Sequence, residues 1–242
     1  MILDYFRPKT VKEALDLRES HPNSRFLGGG SSVQNVTADY FAIDLQLLGL
    51  NKINKENNSY SIGATVTLDE IYEYFKDIPD LRQALRIEGS KNQRNRATLG
   101  GLLMTADGRS PFLTCLASMK SLIYIETEDN PLDINHFLEN RKLNKRLILN
   151  IKIELPEKFS FESVARSPLD KPIVCCAVSI YLTESRVCVG GFGVYPILAS
   201  GESFLAMDEK SIVDEFSLSD DQWASASFRA SLIKTLAERL LN

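Results

Sequence analysis

Two capping-box helix starts, several runs that alternate polar with apolar residues, and a long helix with an apolar face at the C-terminus predict an α+β fold. Thr10-Val11-Lys12-Glu13 sets a hydroxyl at an N-cap and a carboxylate three residues later, so that each satisfies an orphan amide. Ala14, Leu15 and Leu17 continue this as a short amphipathic helix that ends before His21-Pro22. Arg25-Phe26-Leu27 predicts a strand running into Gly28-Gly29-Gly30. Tyr40 to Asp44 and Ser59 to Ile62 alternate as half-buried strands do, and the Asn/Lys-rich stretch Asn51 to Asn58 predicts a turn between neighbours.

Thr67-Leu68-Asp69-Glu70 is the second capping box; Ile71, Tyr72 and Phe75 follow at helical spacing, and Leu81 to Ile87 predicts another helix. Glu88 to Thr98 has no periodicity and predicts a long loop closed by Leu99-Gly100-Gly101; ordered loops of that kind are often functional. Ser110-Pro111 reads as an N-cap followed by proline at the first helical position, opening a helix over Phe112 to Ser118. Ser121 to Glu126 and Leu147 to Glu154 predict strands, the second stopped by Pro156, and a domain boundary is expected near Pro156-Glu157-Lys158. Beyond it, Ile173 to Leu182 and Arg186 to Gly190 predict a hairpin turning at Thr183-Glu184-Ser185. The last helix is expected from about Ser225, with Phe228, Leu232, Leu236 and Leu240 on one face.

The 242 residues, 44% of them hydrophobic, suffice for one large domain or two small ones with buried cores. A net charge of −4 and the lack of a basic run interleaved with aromatics argue against a nucleic-acid partner. The N-terminus lacks the basic start of a signal peptide, and no stretch approaches roughly 18 apolar residues. The expectation is a cytoplasmic protein with no membrane partner. Cys115, Cys175, Cys176 and Cys188 form no CxxC pair, and His21 and His136 lie far apart. Buried reduced thiols and surface histidines are expected, and any iron–sulfur or zinc centre then belongs to another chain.

Gly28-Gly29-Gly30-Ser31-Ser32 offers amides without side chains in the way and two hydroxyls beside them, which suits a pyrophosphate; it is equally what a simple turn contains. Arg94-Asn95-Arg96-Ala97-Thr98-Leu99-Gly100-Gly101 adds two guanidinium groups, an amide and a hydroxyl before a second glycine pair. The two loops suit a long phosphorylated cofactor, or they are solvated charges and turns.

Taken in order, Phe6-Arg7-Pro8, Phe26-Leu27-Gly28-Gly29-Gly30-Ser31, Ile62-Gly63-Ala64-Thr65-Val66-Thr67-Leu68 and Arg94 to Gly101 resemble the FAD-binding subunits of the xanthine dehydrogenase and carbon monoxide dehydrogenase family, the molybdenum hydroxylases. The likeness continues through Leu147-Ile148-Leu149-Asn150-Ile151 and Ala165-Arg166-Ser167-Pro168-Leu169-Asp170. It implies a two-subdomain FAD-binding domain over 1–156, with subdomains of about 1–52 and 53–156, then a small sheet-plus-helix domain over 157–242. It implies pyrophosphate contacts from Leu27, Gly28, Gly29, Gly30, Ser31, Ser32 and Val33, and flavin or ribityl contacts from Asn95, Thr98, Gly100 and Gly101. Thr105, Asp107 and Ile148 complete the implied cofactor set, Ile148 packing near the flavin ring. Three positions depart from the family pattern: Leu102 stands where Asn is common, Asp107 sits in a shortened loop, and Glu162 occupies a position where some members have Lys.

The resemblance further implies an electron-transfer subunit. A partner with a molybdenum cofactor would oxidise substrate, an iron–sulfur partner would feed FAD here, and NAD or another acceptor would take the electrons. Two rival readings are a degenerate flavoprotein serving assembly, which Leu102 favours, and a self-sufficient flavin oxidase. The second lacks a histidine beside the glycine loop to anchor flavin covalently.

Overall fold

The computed structural model of the protein describes residues 1–31, 38–141, 146–168 and 170–241. Ser32 and Val33 of the expected cofactor set lie outside the described residues. Strands β1 (Ile2–Phe6), β2 (Ser24–Leu27) and β3 (Tyr40–Asp44) make a parallel sheet of order β1-β3-β2. Parallel strands need crossovers, and helix α1 (Val11–Ser20) supplies the one from β1 to β2. Its Ala14 packs with Ile43, Leu45 and Leu147. Thr10 caps α1 as predicted, accepting the Glu13 amide at 3.1 Å, but the Glu13 carboxylate takes the Lys9 amide instead of closing the box. His21 is not a free surface residue: its ring lies 4.9 Å from Phe6 and 4.5 Å from Phe41.

The central layer runs through β4 (Ile53–Glu56), β5 (Ser59–Gly63), α2 (Leu68–Tyr74), α3 (Pro79–Glu88), α4 (Lys91–Arg94), α5 (Leu99–Thr105), α6 (Pro111–Ser118), β6 (Lys120–Ile125), β7 (Leu132–Asp133), α7 (Ile134–Asn140) and β8 (Ile148–Glu154). Its strands form an antiparallel sheet of order β4-β5-β8-β6-β7. The stretch Asn51 to Asn58 is therefore not one turn. It contains β4, an edge strand on which only Ile53 is half-buried, so the apolar alternation that marks a strand is missing. Only Asn57 and Asn58 turn, Asn57 at φ 53°. Tyr40–Asp44 and Ser59–Gly63 belong to different sheets and are not neighbours. The expected loop Glu88 to Thr98 holds α4, opened by a full capping box of Ser90 and Gln93, and Leu99-Gly100-Gly101 opens α5.

The third layer is the antiparallel sheet β12-β11-β10-β9, built from β9 (Lys158–Val164), β10 (Val174–Ile180), β11 (Ser185–Gly190) and β12 (Ile197–Ser200). Helices α8 (Gly201–Leu205), α9 (Glu209–Glu215) and α10 (Ala226–Leu241) follow. Every residue of α6 is buried, which marks a helix enclosed on all sides. Its core cluster takes in Ile151 and Ile153 of β8 and Cys175, Ala177 and Cys188 of β10 and β11, so the hydrophobic core continues past Pro156. Cys176, Val178, Val187 and Val189 point the other way, into a second cluster with α9 and α10. All four cysteines are buried free thiols, and burial pushes Cys175 up to about 12.

The inward face of α10 is Ala230, Ile233, Leu236 and Ala237 together with Arg229, whereas Phe228 is 50% exposed. The predicted face is rotated because Arg229 points inward. Its guanidinium donates to the Ser219 carbonyl at 2.9 Å, to the Ala224 carbonyl at 3.0 Å and to Asp221 Oδ2 at 2.7 Å. Replacing it strands these acceptors. Arg229→Met is expected to lower unfolding stability by on the order of 3 kcal/mol, read from the urea midpoint, with the far-UV spectrum retained.

Candidate cofactor site

The two glycine loops are one structure. An ideal Cβ on Gly28 would stand 2.4 Å from Thr98 Oγ1, and one on Gly29 would stand 1.7 Å from the Arg96 carbonyl oxygen. Gly30 follows at φ 69°, in the left-handed region, and its carbonyl accepts from the Arg96 guanidinium at 3.5 Å. The second loop is in turn tied to the central sheet. Leu68 donates to the Ala97 carbonyl at 2.9 Å, Leu99 to Val66 at 2.9 Å and Gly100 to Ala64 at 2.8 Å. Gly100 is needed there because a Cβ would lie 3.0 Å from both Ala64 Cβ and the Ala64 carbonyl oxygen. Thr98 caps α5, accepting the Gly101 amide at 3.3 Å.

Beside this junction lies a cleft of about 620 Å³, between the parallel sheet and the central sheet. Gly28, Thr98, Gly100, Gly101, Thr105 and Ile148 line it. A second cavity of about 240 Å³ is lined by Ser31, Gly101, Thr105 and Asp107 among others. Eight of the expected residues thus face two adjoining spaces. Leu27 is half-buried at the end of β2, and its carbonyl accepts the Leu45 amide. Gly29 and Gly30 abut Arg96. Asn95 is exposed at the end of α4 and lines neither cavity.

Arg94 is neither a solvated charge nor open to a phosphate. It is 7% exposed, its Nε and Nη2 lie 3.1 Å from Asp69 Oδ1, its Nη1 donates to the Gly89 carbonyl, and it stacks 4.5 Å over Tyr72. Arg96 stays exposed. Leu102 is in the core cluster and also touches the smaller cavity. Glu162 reaches neither cavity; Arg239 pairs with it at 2.5 Å.

Sequence reading missed several lining residues. Arg18 and Arg25 face the cleft with their guanidiniums over the rings of Phe26 and Tyr40, at 5.9 and 5.6 Å. Burial and the neighbouring Arg25 hold the Arg18 guanidinium below its ordinary range. Glu88, at the end of α3, faces the smaller cavity and accepts from Ser110 Oγ at 2.6 Å and the Phe112 amide at 3.1 Å. Desolvation nonetheless pushes its carboxyl above the ordinary 4.5. Among the described residues, no histidine lines either cavity.

The donor set suits FAD. Glycine backbone and cationic side chains suit a pyrophosphate, Phe26, Met104, Leu147 and Ile148 supply apolar walls, and the cleft volume falls within the range of about 300–1,000 Å³ usual for such ligands. Residues 1–158 match the family model described as the FAD binding domain in molybdopterin dehydrogenase. The chain belongs to this family. It is an FAD-binding oxidoreductase chain of the molybdenum hydroxylases.

Among relatives, the glyceraldehyde dehydrogenase medium chain of Sulfolobus acidocaldarius is 25% identical over 200 residues, covering 76% of this chain and 71% of that one. The nicotine 6-hydroxylase medium subunit of Paenarthrobacter nicotinovorans is 23% identical over 245 residues, covering 92% and 84%. Quinoline 2-oxidoreductase from Pseudomonas putida 86 shares the fold at a TM-score of 0.81 and 21% identity, over 100% of this chain and 96% of the other. Carbon monoxide dehydrogenase from Hydrogenophaga pseudoflava gives 0.81 at 17% identity, over 100% and 96%. Among the described residues, no helix is long and apolar enough to cross a membrane.

Gly29→Ala is expected to push the two loops apart and weaken FAD binding by roughly tenfold or more, about 1.4 kcal/mol, measured by flavin fluorescence titration. Glu88 generates a pH dependence. Because its folded pKa is raised, the folded state holds the extra proton, and stability is lost as pH climbs from about 4.5 through the raised value. Glu88→Gln keeps an acceptor for Ser110 and is expected to flatten that decline in urea midpoints.

Proposed function

We propose that this chain is the FAD-carrying medium subunit of a molybdenum-hydroxylase-type oxidoreductase. A molybdenum-cofactor subunit oxidises the substrate, an iron–sulfur subunit delivers the electrons, and NAD or another acceptor removes them. FAD supplies the exchange between electron carriers, and the protein supplies binding, orientation and potential. In this reading residues 1–156 bind FAD, in subdomains of about 1–52 and 53–156, and 157–242 form the C-terminal domain.

The observation that carries the reading is the junction of the two glycine loops at the cleft, since one backbone surface there faces both cavities. Leu27 to Val33 hold the pyrophosphate, with Arg96 beside them. Thr98, Gly100, Gly101 and Thr105 form the wall of the cleft, Asp107 and Ile148 flank the cofactor, and Asn95 stands outside both cavities at the end of α4. The chain contributes no hydroxylating residue of its own. Medium-chain and medium-subunit names among the relatives support a place in a larger enzyme.

A second reading, an assembly subunit with a degenerate cofactor site, draws on Leu102, whose side chain cannot replace the hydrogen bonds of Asn. An absorbance spectrum of the purified chain separates the two. FAD near one equivalent, released and identified after denaturation, is the expected result. A colourless chain that also fails to take up added FAD would leave the assembly role.

A further inference from the structure

One carboxyl in the wall of the smaller cavity is bonded on one side only. Glu88 ends α3 and lines the cavity together with Arg94, Asp107 and Lys171. Both donors that reach it use the same oxygen: Ser110 Oγ lies 2.6 Å and the Phe112 amide 3.1 Å from Oε2. Neither bond can reverse. An amide only donates, and Ser110 Oγ, itself fully buried, already accepts the Leu113 amide at 3.1 Å, so its hydrogen points to Glu88. Oε2 is therefore fixed as an acceptor, and any proton the carboxyl holds sits on Oε1. Among the described residues no donor meets Oε1, which is left to whatever fills the cavity.

We propose that Glu88 is a cofactor-binding residue that meets FAD as a neutral acid donating from Oε1, so that FAD binding takes up a proton from solvent. The inference rests on the FAD-binding reading above and deepens it. Flavin, adenine and pyrophosphate all present acceptors, so a hydroxyl on Oε1 suits whichever part of FAD enters the cavity, whereas a carboxylate oxygen offers those acceptors only its own lone pairs.

The groups that face Glu88 do not hold it as an anion. Lys171 pairs with Asp107 at 3.8 Å, Arg94 on α4 is taken up by Asp69 of α2 and by the Gly89 carbonyl, and Glu162 on β9 pairs with Arg239. Cys115 on α6 and Cys175 on β10 are thiols that burial keeps protonated. Desolvation outweighs the two donors and Lys171 and pushes the Glu88 carboxyl up from 4.5. A cofactor that fills the cavity shuts solvent away from Oε1 and carries the shift further.

The proton is then held more tightly in the complex than in the free chain. FAD binding to the full chain is expected to tighten as pH falls, by about threefold or more per pH unit over the window that opens above 4.5. Calorimetric titrations in buffers of different ionisation enthalpy are expected to show the proton uptake. Glu88→Gln copies the neutral acid, with an oxygen for Ser110 and Phe112 and an amide donor in place of the Oε1 hydroxyl. This variant is expected to bind FAD at every pH as tightly as the unaltered chain does at the acid end, and to take up no proton. A role confined to capping α6 predicts no such linkage. A Kd for FAD that does not move with pH in the unaltered chain, or the same proton uptake persisting in Glu88→Gln, would overturn the assignment and leave FAD binding intact. Failure of the unaltered chain to bind FAD would overturn both.

Discussion

At Gly29 the backbone of the first loop passes directly against the carbonyl of Arg96, with no room for a single methyl group. Everything in the cofactor site depends on that approach. The strand β2 brings the first loop from the parallel sheet, and the bonds from Leu68, Leu99 and Gly100 fix the second loop to the central layer. The loops meet because Gly28 and Gly29 carry no side chain where the first loop crosses the Arg96 carbonyl and the Thr98 side chain of the second. The cleft opens beside this crossing, and the two layers also meet through side chains, where Leu147 packs with Ala14, Ile43 and Leu45. Glycine here serves the protein's own geometry first, and the exposed amide surface that suits a pyrophosphate is its consequence.

Helix α6 does for the core what the loops do for the site. It is enclosed by the central layer on one side and by β10 and β11 on the other, and its few polar groups are all answered within that sandwich. Ser118 Oγ meets Ser179 Oγ at 2.9 Å, Thr114 Oγ1 lies 3.4 Å from Cys175 Sγ, and Ser110 donates to Glu88. Buried hydroxyls without partners would cost about 1–3 kcal/mol each, so these pairs fix the register of the third sheet on the helix. The Ser110–Glu88 bond also connects this packed helix to the wall of the smaller cavity. The Phe112 amide donates to the same carboxylate, so a disturbance in the core reaches the cavity wall through two hydrogen bonds to Glu88.

The elements legible in the sequence are those whose signals are local. Thr67 and Glu70 form the full capping box, and Ser110-Pro111 opens α6, because both partners lie within one turn. Ser90 and Gln93 carry the same spacing, yet the polar stretch around them masks it, since α4 buries only Arg94. β4 is hidden for the related reason that an edge strand exposes most of its side chains. The phase of α10 depends on Arg229 finding carbonyls at Ser219 and Ala224, which no periodicity reveals. At the site, the glycines are readable as residues of close approach, but not what they approach. Arg94 looks like a phosphate ligand until Asp69, 25 residues earlier, is seen to hold it.

The departures from the family pattern acquire a common sense in the fold. Leu102 packs with the core on one side of α5, beside Leu99 and Leu103, and touches the smaller cavity on the other. An amide there would need a partner in a wall that Leu68, Ala97 and Ala106 make largely apolar, and an unpaired buried amide is costly. Glu162 does not place a negative charge at the cofactor, because Arg239 binds it on the face of β9 away from both cavities. Charge in the smaller cavity comes from Arg94, Glu88, Asp107 and Lys171, which arrive from separate segments of the chain. Of these charges, Asp107 and Lys171 keep contact with solvent, whereas Glu88 and Arg94 are withdrawn from it and answered by protein partners, Ser110 and Phe112 for the one and Asp69 for the other, so the cavity wall holds its charges without leaving a buried one unpaired.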